Sequence, residues 1–145
     1  MAATRILWVD EDALAHYDYY FDKLVKDYKV SLHCSPTNED ALREAAMGWD
    51  MVFYDIGMET RLDKGNFVPI GCHLDIVEKL RQAGEGAIFI GTTFAPTSFY
   101  SQYKRYFNEI IDSSRIFGFG GDEPLEPFCA LTKRHGIVLE KRAKE

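Results

Sequence analysis

A doubly wound α/β fold, in which five parallel strands carry helices on both faces, is the fold class this sequence predicts. Three observations lead to it. Short runs of consecutive apolar residues, "ILWV", "MVFY" and "AIFI", recur along the chain, and strands buried on both faces have that character. Between them lie segments with apolar residues at three- and four-residue steps, the period of a helix with one buried face. The two kinds alternate, and parallel strands need such crossovers, whose right-handedness covers both faces of the sheet.

The first strand is "RILWVDED", apolar from Ile6 to Val9 and closed by Asp10, Glu11 and Asp12. Leu14, Tyr17, Phe21, Leu24 and Tyr28 then mark one helix stripe, with Asp18, Asp22, Lys23 and Lys26 on the wet side. "VSLHC" is a second strand, followed by a helix that Ser35 can cap, Pro36 can open and Gly48 can stop. "DMVFYD" is a third strand ending in Asp55. After a Gly- and Pro-containing stretch at 57–71, Leu74, Val77 and Leu80 give a helix that ends at Gly84. "AIFIGTT" is the fourth strand, ending in the hydroxyls of Thr92 and Thr93. Phe99, Tyr103, Tyr106 or Phe107, and Ile110 predict a helix over 97–113, "RIFGF" a fifth strand, and 126–145 a mostly helical close weakened at Gly136.

The 145 residues, 46% of them hydrophobic, suit a single domain spanning 1–145. The net charge of -6 repels phosphate backbones and anionic lipid, which argues against nucleic acid and membrane as partners. The last thirteen residues hold five Lys/Arg and two Glu, so they carry +3 and the remainder -9; they read as a solvated basic end. Cys34, Cys72 and Cys129 are an odd count without CxxC spacing, as expected of reduced cytoplasmic thiols. His16, His33, His73 and His135 lack metal-ligand spacing and read as structural.

In doubly wound sheets the ligand site lies beyond the carboxyl ends of the strands. Asp10, Glu11, Asp55 and Thr92 or Thr93 all fall there, so residues far apart in sequence are expected to converge. Clustered carboxylates repel one another, and a hard cation such as Mg2+ satisfies them.

With "ILWVDED", "DMVFYDIGM" and "AIFIGTT" in this order and spacing, the chain resembles a receiver domain of two-component response regulators over nearly its whole length, of atypical or pseudo-receiver type. The resemblance implies the flavodoxin-like receiver topology. It implies Asp55 as phosphoacceptor, and Mg2+ held by Asp10, Glu11, Asp55 and the Gly57 carbonyl. Thr92 would be the switch hydroxyl, and Phe117 or Phe119 the aromatic partner that turns inward. It further implies a histidine kinase or other phosphodonor if the site is active, and no turnover beyond self-phosphorylation and autodephosphorylation. A protein partner would dock on the fourth helix, fifth strand and last helix, where the surplus aromatics Phe99, Tyr100, Tyr103, Tyr106 and Phe107 also make a homodimer plausible.

Two features depart from the family pattern. A lysine in a Lys-Pro pair normally follows the fifth strand, whereas here Glu126 precedes Pro127, and no lysine occurs between Lys104 and Lys133. After Asp55 the family has a Met-Pro pair, and this chain has the longer 57–71 stretch, whose Arg61 and Lys64 are candidate replacement cations. The site is therefore expected either to be phosphorylated on Asp55 or to be a degenerate pseudo-receiver acting by protein contact.

Two enzyme readings were weighed against this. The "GGDE" at 120–123 matches a diguanylate cyclase motif by letters alone, with Pro124 where such a motif has Phe. The DxD of Asp10 and Asp12 resembles the nucleophile motif of haloacid-dehalogenase-like phosphatases, but it leaves Asp55 without a role.

Overall fold

β1 (Thr4–Val9) is the centre from which the sheet grows, because its apolar run Ile6, Leu7, Trp8 and Val9 is fully buried and must be covered on both faces. The computed structural model describes residues 2–56, 74–93, 103–118 and 122–143, with side chains from 76 onward in the second span. The elements are β1, α1 (Ala13–Asp27), β2 (Val30–Ser35), α2 (Asn38–Ala45), β3 (Met51–Asp55), α3 (Leu74–Ala83), β4 (Ile88–Thr93), β5 (Glu109–Asp112) and α4 (Glu126–Arg134). The five strands are all parallel in the order β2-β1-β3-β4-β5. The order reverses between β1 and β3, the switch point at which such sheets open a crevice.

Alternation along the strands divides the core into two layers. Ile6 and Trp8 of β1, Met51 and Phe53 of β3, Ile90 of β4 and Ile111 of β5 face α1 and α4. Leu7, Val9, Val52, Tyr54 and Phe89 face α2 and α3. The first layer is aromatic: Trp8 stacks on Phe53 with centroids 4.2 Å apart and meets Tyr17 and Phe21 of α1. In the second layer Phe89 stacks on Phe107 at 5.3 Å.

Several expected boundaries moved. The fifth strand is Glu109–Asp112, inside the segment that periodicity assigned to a helix, and "RIFGF" is not a strand. Residues 103–106 form a 3-10 turn, and 94–102 lie outside the described residues. Ser113–Arg115 is another 3-10 turn, after which Ile116 and Phe117 turn into the α1–α4 layer and the Gly118 N–H bonds the Pro124 carbonyl at 2.8 Å. Physically, "EIID" is short and flanked by acids, so its pairing depends on the neighbouring β4 ladder rather than on local pattern.

Other corrections are local. Thr37, not Ser35, caps α2, its Oγ1 accepting from the Asp40 N–H at 3.1 Å, while Ser35 ends β2. Leu14, placed on the buried stripe by spacing, is 61% exposed, and Ala13 is buried in its stead. The closing helix ends at Arg134, where Gly136 takes φ of +85°, a conformation that favours glycine. The chain then runs back extended beside the end of α1: Lys29 N–H bonds the Glu140 carbonyl and Arg142 N–H the Asp27 carbonyl, each at 2.8 Å.

Candidate functional site at the strand carboxyl ends

Register brings the expected residues together. Val9 pairs with Tyr54 and Asp55 with Thr92, so Asp10, one step beyond Val9, lies beside Asp55 across the β1–β3 ladder. By alternation Asp10, Asp55 and Thr92 project to the same face as Trp8, Phe53 and Ile90, toward α1 and α4. Thr93 pairs with Asp112 at the end of β5, and Ser113 follows on the face of Ile111.

Asp10 is 5% exposed, its N–H bonds the Ser35 carbonyl at 3.1 Å, and its Oδ1 accepts from the Asp12 N–H at 2.8 Å. Asp12 stands at the N-cap of α1, though its side chain makes no capping bond. Burial pushes the Asp10 carboxyl above its usual range, the Asp12 N–H pulls it down, and the Asp12 and Glu11 charges raise it again. Glu11 is exposed at the rim and Asp55 is half-buried. The Asp112 carboxylate is held below its usual range by the Ser114 hydroxyl, which donates to Oδ1 at 2.7 Å, and by the Ser114 N–H at 2.9 Å. Thr92, 1% exposed, donates over 3.4 Å to the Tyr54 carbonyl. Asp10, Glu11 and Asp55 offer the carboxylate oxygens that a hard divalent cation such as Mg2+ takes, whereas the described group whose ligand atoms already lie within 4.8 Å of one another is His33, Asp40 and Glu44.

Two residues that sequence reasoning did not place here join the site. Asp112 stands at the end of β5, where the sequence offered Glu126 as the position of the absent lysine. Glu126 instead opens α4 and is exposed, because β5 ends earlier than "RIFGF" would have it. Tyr17, a member of the α1 stripe, is 1% exposed, and its buried Oη makes no hydrogen bond of normal geometry, with the Ser113 side chain its weak neighbour. Burial pushes its hydroxyl up to about 12, with the Ser113 side chain pulling down and the charges of Asp10, Asp55 and Asp112 adding to the rise. All three carboxylates therefore act on one phenol.

The remaining expectations divide. Phe117 is 2% exposed and packs at 4.7 Å on Tyr20 and 5.5 Å on Tyr17, in the core rather than on a strand. Tyr106 and Phe107, expected at a surface, are buried at 8% and 5% exposure because the segment folds onto Phe89 and α3. Tyr103 is partly buried against the same layer. Gly57, Arg61, Lys64, Phe99, Tyr100, Phe119 and the Gly120 and Gly121 of the "GGDE" lie outside the described residues.

No protein-family model and no curated protein matches the chain by sequence. Solved structures do match it. A CheY-like response regulator receiver domain from Methanospirillum hungatei JF-1 is 16% identical, with 92% of each chain covered and a TM-score of 0.60. The chemotaxis protein CheY4 of Vibrio cholerae is 12% identical, covers 92% of this chain and 98% of its own, and gives 0.61. A Thermotoga maritima response regulator solved with Mg2+ and BeF is 17% identical, covers 93% and 96%, and gives 0.56. Among the described residues no helix is long and apolar enough to cross a membrane. Strand order, two-sided helix cover and these likenesses together give the chain the flavodoxin-like fold of CheY-like receiver domains.

Proposed function

We propose that this chain is a receiver-like signalling domain in which Asp55 accepts a phosphoryl group beside a divalent cation held by Asp10 and Glu11. The observation that carries this reading is the juxtaposition of Asp10 and Asp55 at the ends of β1 and β3, with Thr92 paired to Asp55. An Asp55 carboxylate oxygen bonds phosphorus as the donor's bridging P–O bond breaks; with acetyl phosphate, acetate leaves. Mg2+, when bound, supplies charge neutralisation for the carboxylates and the phosphoryl oxygens. Asp10 contributes a carboxylate whose desolvation favours taking a cation, and its Asp12 bond fixes its orientation. Thr92 supplies a hydroxyl with only a long bond to give up. The Thermotoga structure, which holds Mg2+ and BeF, supports the cation chemistry by fold likeness.

Output is by protein contact, a partner reading a face that includes β5 and α4. Charge added at Asp55 biases that face through Thr92 and β5, its neighbour in the sheet.

A second reading, a pseudo-receiver with a fixed surface, is favoured by one observation. At the end of β5 an acid, Asp112, stands near the position for which the resemblance implies a lysine. Incubation with Mg2+ and acetyl phosphate, followed by intact mass, separates the two. One labile phosphoryl adduct, absent in Asp55→Asn, is the expected result; no adduct on a folded protein leaves the pseudo-receiver.

A further inference from the structure

Tyr17 has no reason of stability to carry its hydroxyl. The ring belongs to the aromatic layer, with Trp8 and Phe117 both at 5.5 Å and Phe21 at 5.6 Å, and a phenylalanine would make those contacts. The Oη is buried without a partner, and a buried hydroxyl left unpaired costs about 1–3 kcal/mol. Among the described residues the buried side-chain polar atoms without partners are Trp8 Nε1, Tyr17 Oη, Ser35 Oγ and Asn38 Nδ2. Asp10, Asp55 and Asp112 all act on the Tyr17 phenol. It stands on the α1 face of the sheet, the face toward which Asp10, Asp55 and Thr92 project, with Ser113 at the end of β5 beside it.

An anion on Asp55 in this chain meets no lysine from the β5 end. Arg115, the nearby basic residue after β5, is exposed and acts on Asp112. A buried O–H donor on α1 is the complementary group on the page. A phenol is also protonated at neutral pH, and more so when burial raises its pKa.

We propose that the Tyr17 hydroxyl donates a hydrogen bond to a phosphoryl-type anion carried on Asp55, recognising it with a neutral donor where related folds are expected to use a lysine. The proposal rests on the phosphoacceptor reading of Asp55 and adds to it a positioning residue on α1. Binding would give the orphaned hydroxyl its partner, so that α1 senses the state of the site directly. Stability and anion recognition are then opposed at this position.

The probe is beryllofluoride with Mg2+, titrated into wild type, Tyr17→Phe, Arg115→Gln and Asp55→Asn and followed by 19F NMR, with the melting temperature of each ligand-free protein measured alongside. Tyr17→Phe is expected to melt at or above wild type and to bind about tenfold more weakly or worse, the loss of one hydrogen bond to a charged group. Arg115→Gln should bind as wild type, and Asp55→Asn not at all. In wild type labelled at tyrosine Cζ, the Tyr17 signal should shift at saturation, a readout that does not depend on any variant folding. Equal binding by Tyr17→Phe with an unmoved Cζ signal, or loss confined to Arg115→Gln, overturns the proposal while Asp55 keeps its role. No binding by wild type overturns the phosphoacceptor reading and this proposal with it.

Discussion

Asp10 shows how a functional residue can weaken the fold that holds it. Its folded pKa is raised, so its contribution to stability is present below the ordinary carboxylate value and is lost as pH rises through the raised one. At neutral pH without a cation, the ionised Asp10 is a net cost. Asp10→Asn keeps a carbonyl oxygen for the Asp12 N–H and removes the charge, so it should raise the melting temperature in EDTA. It should also abolish the stabilisation that Mg2+ gives wild type. A variant that melts lower in EDTA, or still gains from Mg2+, would contradict this. Gly91 is the opposite case, a residue fixed by packing alone. A Cβ there would lie 2.9 Å from Ile56 Cδ1 and 3.3 Å from Phe107 Cδ1, so Gly91→Ala should cost about 1–3 kcal/mol in urea denaturation. At this scale the strand-end placement of Asp10, Glu11, Asp55 and Thr92 was legible, because acids and hydroxyls closing apolar runs are a local signal. Tyr17 was hidden, since spacing marks a tyrosine as core and says nothing of where its Oη lands. A sequence signal existed only in its type: a polar tip that it shares on that stripe with Tyr28 alone.

β1, β3 and β4 were legible as elements because each is buried on both faces and needs no neighbour to identify it. β5 was not, because it is an edge strand whose four residues are all only partly buried and whose apolar Ile110 and Ile111 continue a helical pattern. With β5 ending at Asp112, Glu126 opens α4 and does not directly follow the strand. β5 is tied to α4 by Glu109, which accepts from Arg134 Nε at 3.0 Å and faces His135 Nε2 at 2.7 Å. The Arg134 bond, more than His135, holds Glu109 below its usual pKa, against a partial desolvation. A lowered carboxylate stabilises above its ordinary pKa, and that contribution is lost as pH falls through the folded value. Glu109→Gln should therefore flatten the acid side of a plot of urea midpoint against pH; an unchanged acid limb would mean the link is idle. The segment after Gly136 was read as helix and is instead a return strap, with Leu139 9% exposed and Tyr28 bridged to Lys141. Removing 137–145 takes Leu139 out of the core and frees the N–H of Lys29, which should cost about 2 kcal/mol or more. Chemical denaturation of the shortened chain measures it.

Across the whole molecule, Asp10, Glu11, Asp55 and Asp112 fall at or just beyond the carboxyl ends of β1, β3 and β5. The fold class could be read from alternation because five strands and their crossovers leave few topologies open. The composition of the site could not be read in full, because it depends on where an edge strand ends and on which side chains α1 sends over the sheet. Amide chemical-shift mapping on adding Mg2+ and beryllofluoride tests that arrangement most directly. The account predicts the largest shifts at Asp10 to Ala13, at Asp55 and Ile56, at Thr92 and Thr93 and at Asp112 to Gly118, with Tyr17 among them and a weaker spread into α4. Shifts centred elsewhere, for instance at His33, Asp40 and Glu44, whose ligand atoms lie within 4.8 Å of one another, or no shifts at all, would contradict it.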